Sequence, residues 1–478
     1  MSETIAGLIA CEDALMFVNA AITSTGQREF HHDAREQQLS LSFLHAYMRE
    51  NYRDLYAGAL ALNVNDTNAM LIVFNLLVHA GDVDVESRRR EGRLIARRLE
   101  LLPQHRVYHL FGALRRAGVN NRRTRAIIRD WLAGRRDPAF DAVKYRAGVK
   151  SAARHAHLPL DGELARFLFA PQSVKRFSTP LFETWRRAHY EQAALYELPF
   201  TVAEGFAAKY GIPRERFLER IEPRMTRLER FRLQENAQVG ETSAIRRNTD
   251  LAAMGPTRLA SYVLSLTLDD RSKRRTELTG ALRSAARRVA GHRAGTWGRV
   301  TAVLDDSHST SGSAQKRHRP LAVALAGHYL LEALAAPGAY RPLWLSGRTD
   351  ALLLFPHGPT PLGMRLLDAL DTAPERLIVV SDGWDNAPPG LAADVLRIWR
   401  SRLDPEGRVA ITHLNPVYDA SGYDVRRLAP SVPTAGVRDA EDLPALVELA
   451  RFAEGRVGLD DLRGYFDEQA ARFLGEPA

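Results

Sequence analysis

Between residues 36 and 290, apolar side chains recur at three- and four-residue spacing with few breaks. That is the signature of amphipathic helices. The breaks carry Gly, Pro, Asn or Asp, at 63–66, 81–85, 102–105, 118–121, 134–138, 158–162, 211–213 and 254–256. The pieces between them are about 10–25 residues long, the length of helices stacked in pairs. Leu94, Ile95 and Leu99 show the spacing, with arginines opposite. No strict repeat is visible, and an irregular α-solenoid fits, because each helix pair needs neighbours to bury its face. The first 35 residues read as a short helix and an extended arm.

The pattern changes near residue 296. Short β-rich apolar runs appear at 299–304, 341–345, 351–355, 376–380, 408–413 and 436–437. Helical stretches at 321–335, 361–370, 390–401 and 443–453 alternate with them. Strand–helix alternation predicts a mostly parallel, doubly wound sheet, with its ligand crevice beyond the carboxyl ends of the strands. Three parts follow: an arm over 1–35, a helical module over 36–296 and an α/β domain over 297–478.

Charge sharpens the division. Residues 297–478 hold 19 Lys+Arg and 24 Asp+Glu, and residues 1–296 hold the other 47 and 33. A module of net +14 thus precedes one of net −5. The basic sign suits phosphate contacts, although charge runs also serve as solvated surface. Only 6 of the 66 basic residues are lysines, and arginine suits bidentate phosphate recognition. The single cysteine, Cys11, excludes an internal disulfide and a cysteine-based zinc cluster. The start lacks the basic region of a signal peptide, and no run of about 18 uninterrupted apolar residues predicts a membrane span. A cytoplasmic protein without membrane contact is the expectation.

Candidate chemistry lies at two strand ends. The run into Asp305-Asp-Ser-His-Ser309 is a D-x-S-x-S sequence, with Asp305, Ser307 and Ser309 at alternate positions. One acid and two hydroxyls suit a hard cation that takes oxygen ligands and keeps several waters. A second apolar run ends in Ser381-Asp382-Gly383, and a loop around Thr360 lies between the two. Asp and Ser also cap helices in ordinary strand-to-helix loops, so both readings stand. The three elements, in this order, resemble the metal-ion-dependent adhesion site of von Willebrand factor A domains. That resemblance implies a divalent cation, Mg2+ by preference, held by Asp305, Ser307, Ser309, Thr360 and Asp382.

In the basic half, 118–133 is the most informative segment. On a helix, Arg122, Arg125 and Arg129 share one face while Ile127, Ile128 and Trp131 turn away. Lys144-Tyr145-Arg146 and His155-Ala156-His157-Leu158 follow. In this order the segments resemble the TROVE module of the Ro autoantigen family, in which a HEAT-like helical ring is joined to a von Willebrand A-like domain. The resemblance implies an RNA-binding scaffold for small noncoding, Y-like RNA and for ends of misfolded RNAs, with a nuclease or another protein as a further partner. It assigns RNA contact to Lys144, Arg146 and His157, beside Arg122, Arg123, Arg125 and Arg129 of the basic helix. His157 reads equally as a buried, hydrogen-bonded histidine. The piece between Arg146 and His157 is about four residues shorter than the family pattern.

Further basic clusters are Arg88, Arg89, Arg90, Arg93, Arg97 and Arg98; Arg246 and Arg247; Arg271, Lys273, Arg274 and Arg275; and Arg287 and Arg288. Tyr108 and Trp131 lie near enough to some of them to suit base stacking. No phosphate loop, dinucleotide fingerprint, H-E-x-x-H or G-x-S-x-G occurs. Asp382 and Asp385 form a second carboxylate pair that catalysis could use, but a non-enzyme is the better reading. The rival class is an A-domain adaptor that works with a protein partner such as an AAA+ ATPase.

Overall fold

The computed structural model describes residues 5–81, 83–160, 162–226, 229–230, 251–450, 452 and 458–476. The chain is mainly helical, with one parallel five-stranded sheet in its C-terminal region. It divides into two compact units, one of residues 1–69 with 250–478, the other of residues 70–249. The boundaries expected after 35 and 296 do not coincide with this division. Residues 70–249 carry 34 basic and 20 acidic side chains, net +14, and the rest carry 32 and 37, net −5. The positive excess therefore falls wholly within the second unit.

The sheet unit is built on β1 (Val300–Leu304), β2 (Tyr340–Trp344), β3 (Arg376–Val380) and β4 (Ala410–Asn415). A two-stranded antiparallel hairpin of β5 (Tyr418–Asp419) and β6 (Asp424–Val425) follows, then β7 (Thr434–Gly436). The sheet order is β2-β1-β3-β4-β7, every neighbour parallel. From β1 the chain steps to β2, then crosses back over β1 to β3. Right-handed crossovers in opposite directions put their helices on opposite faces. Alternate strand positions Val303, Leu377, Val379 and Ile411 meet helices Leu362–Leu370 and Leu391–Ile398 in one core. On the other face, Arg319–Leu334 brings Gly327 against Val380.

Helix Arg319–Leu334 is apolar on nearly every side, so it needs cover beyond the sheet. Helices Pro256–Ser265 and Arg275–Ala290 provide it, which is why 251–290 join this unit. The first 35 residues also depart from expectation. Ile5–Thr23 is one long helix, whose Asn19 side chain accepts from Gly436 N–H (2.8 Å) and donates to Asp424 (2.9 Å). By length and composition alone it could cross a membrane, but it is a core helix here, with 61% of its most apolar window buried. The apolar run at 351–355 forms a short 3-10 turn, Ala351–Leu353, where a strand was expected. Asp350 accepts from Leu352 N–H (3.1 Å) and starts that turn. Short apolar runs do not by periodicity alone distinguish strand from turn.

The 70–249 unit is a succession of helices, some of which begin at a side-chain cap. Asp84 caps Val85–Leu101, Asn121 caps Arg122–Ala133 and Asp137 caps Pro138–Lys144. Leu94, Ile95, Leu99, Leu110, Phe111, Leu114, Ile128 and Trp131 are its buried apolar positions around the basic helix. Tyr108 and Trp131, singled out above as stacking platforms, belong to this core. Their rings meet edge to face at 5.1 Å, and the Trp131 indole donates to Leu99 O (3.1 Å). Gly148 sits so close to Tyr108 that a Cβ there would stand 2.8 Å from its Cβ.

Candidate functional site

Two sites emerge, one in each unit. The first lies at the carboxyl ends of β1 and β3, where the sheet order reverses. Ligands of open α/β sheets bind at such a switch point. Asp305 continues β1, its N–H donating to Val380 O of β3 (3.0 Å). Its side chain is buried; one oxygen accepts from Ser307 N–H (2.8 Å) and the other, Oδ2, has no partner. The Ser307 and Ser309 hydroxyls stand 3.2 Å apart. The loop bearing Thr360 is stitched on both sides. His308 N–H donates to Gly358 O (3.0 Å), and Thr360 N–H donates to the Asn386 side chain (2.8 Å). Asp306 is fully buried and fixes the next loop through Ser346 N–H (2.9 Å).

Asp382 completes the group at the end of β3, accepting from Trp384 N–H (3.0 Å). Asn415 donates to its backbone oxygen (3.0 Å). Gly383 follows at φ +77°, where a Cβ would stand 2.8 Å from Arg426 O, so only glycine lets the loop turn there. Asp385, paired with Asp382 in the catalytic alternative, instead accepts from Ala392 N–H (2.7 Å) in the first turn of the next helix.

Burial, and then the facing carboxylate of Asp382, push the Asp305 carboxyl well above its usual range. Two buried acids, an orphaned carboxylate oxygen and hydroxyls at alternate positions are what an oxygen-seeking cation would satisfy. Asp305, Ser307 and Ser309 thus follow β1, Asp382 follows β3, and the Thr360 loop is hydrogen-bonded to the segments after both strands. Among the described residues no three His, Cys, Asp or Glu gather as a metal cluster. The donor set here has two acids and relies on hydroxyls. One neighbour was missed: His31, whose Nε2 lies 3.4 Å from Asp382 Oδ2. Nothing local in the sequence links positions 31 and 382.

The second site is the basic face of the 70–249 unit. Of the residues assigned to RNA, Arg122 is exposed and Arg125 half-buried. Arg129 is exposed, and its guanidinium donates to Ala156 O (2.9 Å). Arg123 points elsewhere, forming a two-pronged pair with buried Glu91 (both 3.0 Å). Lys144 pairs with Glu229 (3.1 Å). Arg146 donates to Phe167 O and Leu168 O (both 3.0 Å) and lies over the Phe167 and Trp185 rings. It ties helix ends together. Arg246 and Arg247 lie outside the described residues. Arg271, counted above as part of a basic cluster, is buried in the sheet unit, with its guanidinium on the backbone oxygens of Leu264, Leu266 and Leu354.

Of the two histidines, His155 is the buried one, 2.8 Å from Val119 O. His157 is exposed and left-handed, at φ +51°. It closes helix Arg146–His155, with His157 N–H bonded to Arg154 O and Leu158 N–H to Ala153 O. This Schellman end favours glycine, and the equivalent ends at Gly118 and Gly211 use it. His157 Nε2 sits 3.4 Å from the Asn120 side chain. Asn120, Arg125, Arg129 and His157 therefore share one edge. On the opposite side of the basic helix lies a groove of about 1260 Å3, lined by Arg89, Arg93, Arg97, Gln104, Arg136 and Phe140 among others. It was not legible as a groove, because its walls come from helix Val85–Leu101, helix Arg122–Ala133 and the segment after it, which the chain brings together only on folding. No protein-family model matches the chain, and no curated protein matches it.

Proposed function

We propose that this protein is an RNA-binding scaffold of the Ro type. Its 70–249 unit would be a HEAT-like RNA-binding module, and its sheet unit a von Willebrand A-like domain holding a divalent cation. The observation that carries the reading is the charge division: +14 on residues 70–249, −5 on the rest. Phosphate attraction supplies most sequence-independent RNA affinity. On the basic face, Arg122 and Arg125 make no side-chain hydrogen bond or ion pair among the described residues, and exposed Arg129 lies beside His157. His157 supports a functional edge, since a non-glycine residue there holds a conformation costing about 1–3 kcal/mol. The ligand is a small structured RNA, with ends of misfolded RNA as a second class and a nuclease as a protein partner.

The chain would bind rather than catalyse. Asp305, Ser307, Ser309, Thr360 and Asp382 would hold the cation, which neutralises two buried acids and orders three loops. The orphaned Asp305 Oδ2 favours this. It also supports the second reading, an adaptor whose cation grips a carboxylate of a partner such as an AAA+ ATPase. Purification at moderate salt, followed by extraction and sequencing of bound nucleic acid, separates them. A discrete small RNA supports the scaffold. Protein free of RNA, with no affinity for an added stem–loop, refutes it.

A further inference from the structure

The segment before helix Ala34–Asn51 lies over the strand-end crevice. Glu29 is buried and paired with Lys316, which follows the 305–313 loop. Phe30 meets His308 edge to face at 5.8 Å. His32 Nε2 stands 3.0 Å from Asp419 Oδ1. Asp33 then caps the helix through Arg35 N–H (2.7 Å) and Glu36 N–H (2.9 Å). Three side chains flanking position 31 and a helix cap thus fix this short strap. Between them, His31 stacks on Trp384 with ring centroids 4.7 Å apart, and Trp384 also carries the Arg426 guanidinium at 3.9 Å. The stack sets the plane of the imidazole and leaves Nε2 3.4 Å from Asp382 Oδ2.

We propose that His31 is a ligand of the metal centre, supplied by the N-terminal strap. The proposal rests on the reading that Asp305, Ser307, Ser309, Thr360 and Asp382 hold a cation. Two donors about 2.0–2.2 Å from one cation at neighbouring positions stand about 3 Å apart, close to the separation of His31 Nε2 and Asp382 Oδ2. As a ligand, His31 would give the Nε2 lone pair to the cation and keep its ring N–H on Nδ1. Two consequences follow. An imidazole in an oxygen shell turns preference from Mg2+ and Ca2+ toward Mn2+, Co2+, Ni2+ or Zn2+. The position a partner's carboxylate would take is filled from within the chain.

The test is Mn2+ titration of the metal-stripped full chain, followed by electron spin-echo spectroscopy of the bound ion, which detects a directly bonded 14N. Wild type, H31A, H31F (which keeps a ring on Trp384) and D305N are compared, each first checked for an unchanged melting temperature or circular dichroism spectrum. The expected result is a 14N signal in wild type that is lost in H31A and H31F. Both variants should still bind Mn2+, about 10- to 100-fold more weakly, while Mg2+ affinity changes less than Mn2+ affinity. Mn2+ bound by wild type without a 14N signal, or a signal that survives in both variants, overturns the role of His31 and leaves the metal centre standing. Failure of wild type to bind Mn2+ or Mg2+ any better than D305N overturns the metal centre itself, and the proposal with it.

Discussion

Replacing Arg122 and Arg125 together by Ala tests the RNA face most directly. Arg122 opens its helix exposed, and Arg125 lies half-buried one turn on. Neither belongs to the core, so the double variant should unfold within about 0.5 kcal/mol of wild type per site. Each lost phosphate contact lowers the slope of log affinity against log salt by about 0.7 on single-stranded and 0.9 on helical RNA. Two contacts remove about 1.4–1.8 of slope, hence roughly 15- to 30-fold in affinity at 150 mM salt and about 70- to 200-fold at 50 mM. Fluorescence anisotropy of a labelled RNA stem–loop with a single-stranded tail, titrated across this range, reads both quantities. Arg123→Ala is the internal control. It takes the two-pronged guanidinium partner from buried Glu91 and should lower stability, while affinity per folded molecule holds. If the double variant keeps the wild-type slope, or melts early like Arg123→Ala, the arginine face is structural and the reasoning fails.

His157→Gly should raise stability by about 1 kcal/mol, since glycine meets the left-handed helix end without strain. It should also weaken RNA binding; a variant more stable with undiminished affinity would remove His157 from the site. Arg271→Met strips a buried guanidinium from the oxygens of Leu264, Leu266 and Leu354. Each such bond to a charged donor is worth about 1.5–3 kcal/mol, so urea unfolding should show a loss of about 4 kcal/mol or more, and a loss below about 1 would contradict the clamp. Acid should weaken the sheet unit. Burial holds the imidazoles of His45, His328 and His413 down to about 4, from 6.5. Below pH 6.5 the unfolded chain takes protons that the folded one refuses until about pH 4, so stability present at pH 7 is lost as pH falls. At pH 5 each histidine contributes about 2 kcal/mol to that loss. Raised Asp305 works in the opposite direction, so the comparison is wild type against His45→Gln at pH 7 and pH 5; equal pH sensitivity would count against a neutral buried His45. Asp305→Asn should abolish Mg2+ uptake in calorimetry and leave stem–loop affinity within about twofold, because the basic face lies in the other unit. A parallel loss of both would tie RNA binding to the cation.

Local sequence determined much of this protein. Short apolar runs rich in β-branched residues marked 300–304 and 376–380 as strands, and their abrupt ends marked Asp305 and Asp382, two acids that are buried. Turn residues at 118–121 and 134–138 bounded the basic helix; its N-cap Asn121 and the next helix's N-cap Asp137 are visible in the sequence. These features are legible because capping and strand periodicity depend on neighbours in the chain. The expected arm and the 251–290 helices were misjudged because periodicity reports that a helix has an apolar face but not what covers it. Thus Ile5–Thr23 and Pro256–Ser265 packed in the sheet unit. Charge was equally ambiguous. Arg122 and Arg123 are adjacent in sequence, yet Arg123 meets Glu91, which lies 32 positions away, and Arg271 reaches Leu354, 83 positions away. His31 and Asp382 are separated by 351 positions. Which charges serve the fold and which stay available for a ligand is settled by such distant pairings, because an ion pair depends on separation in space and the sequence records separation along the chain.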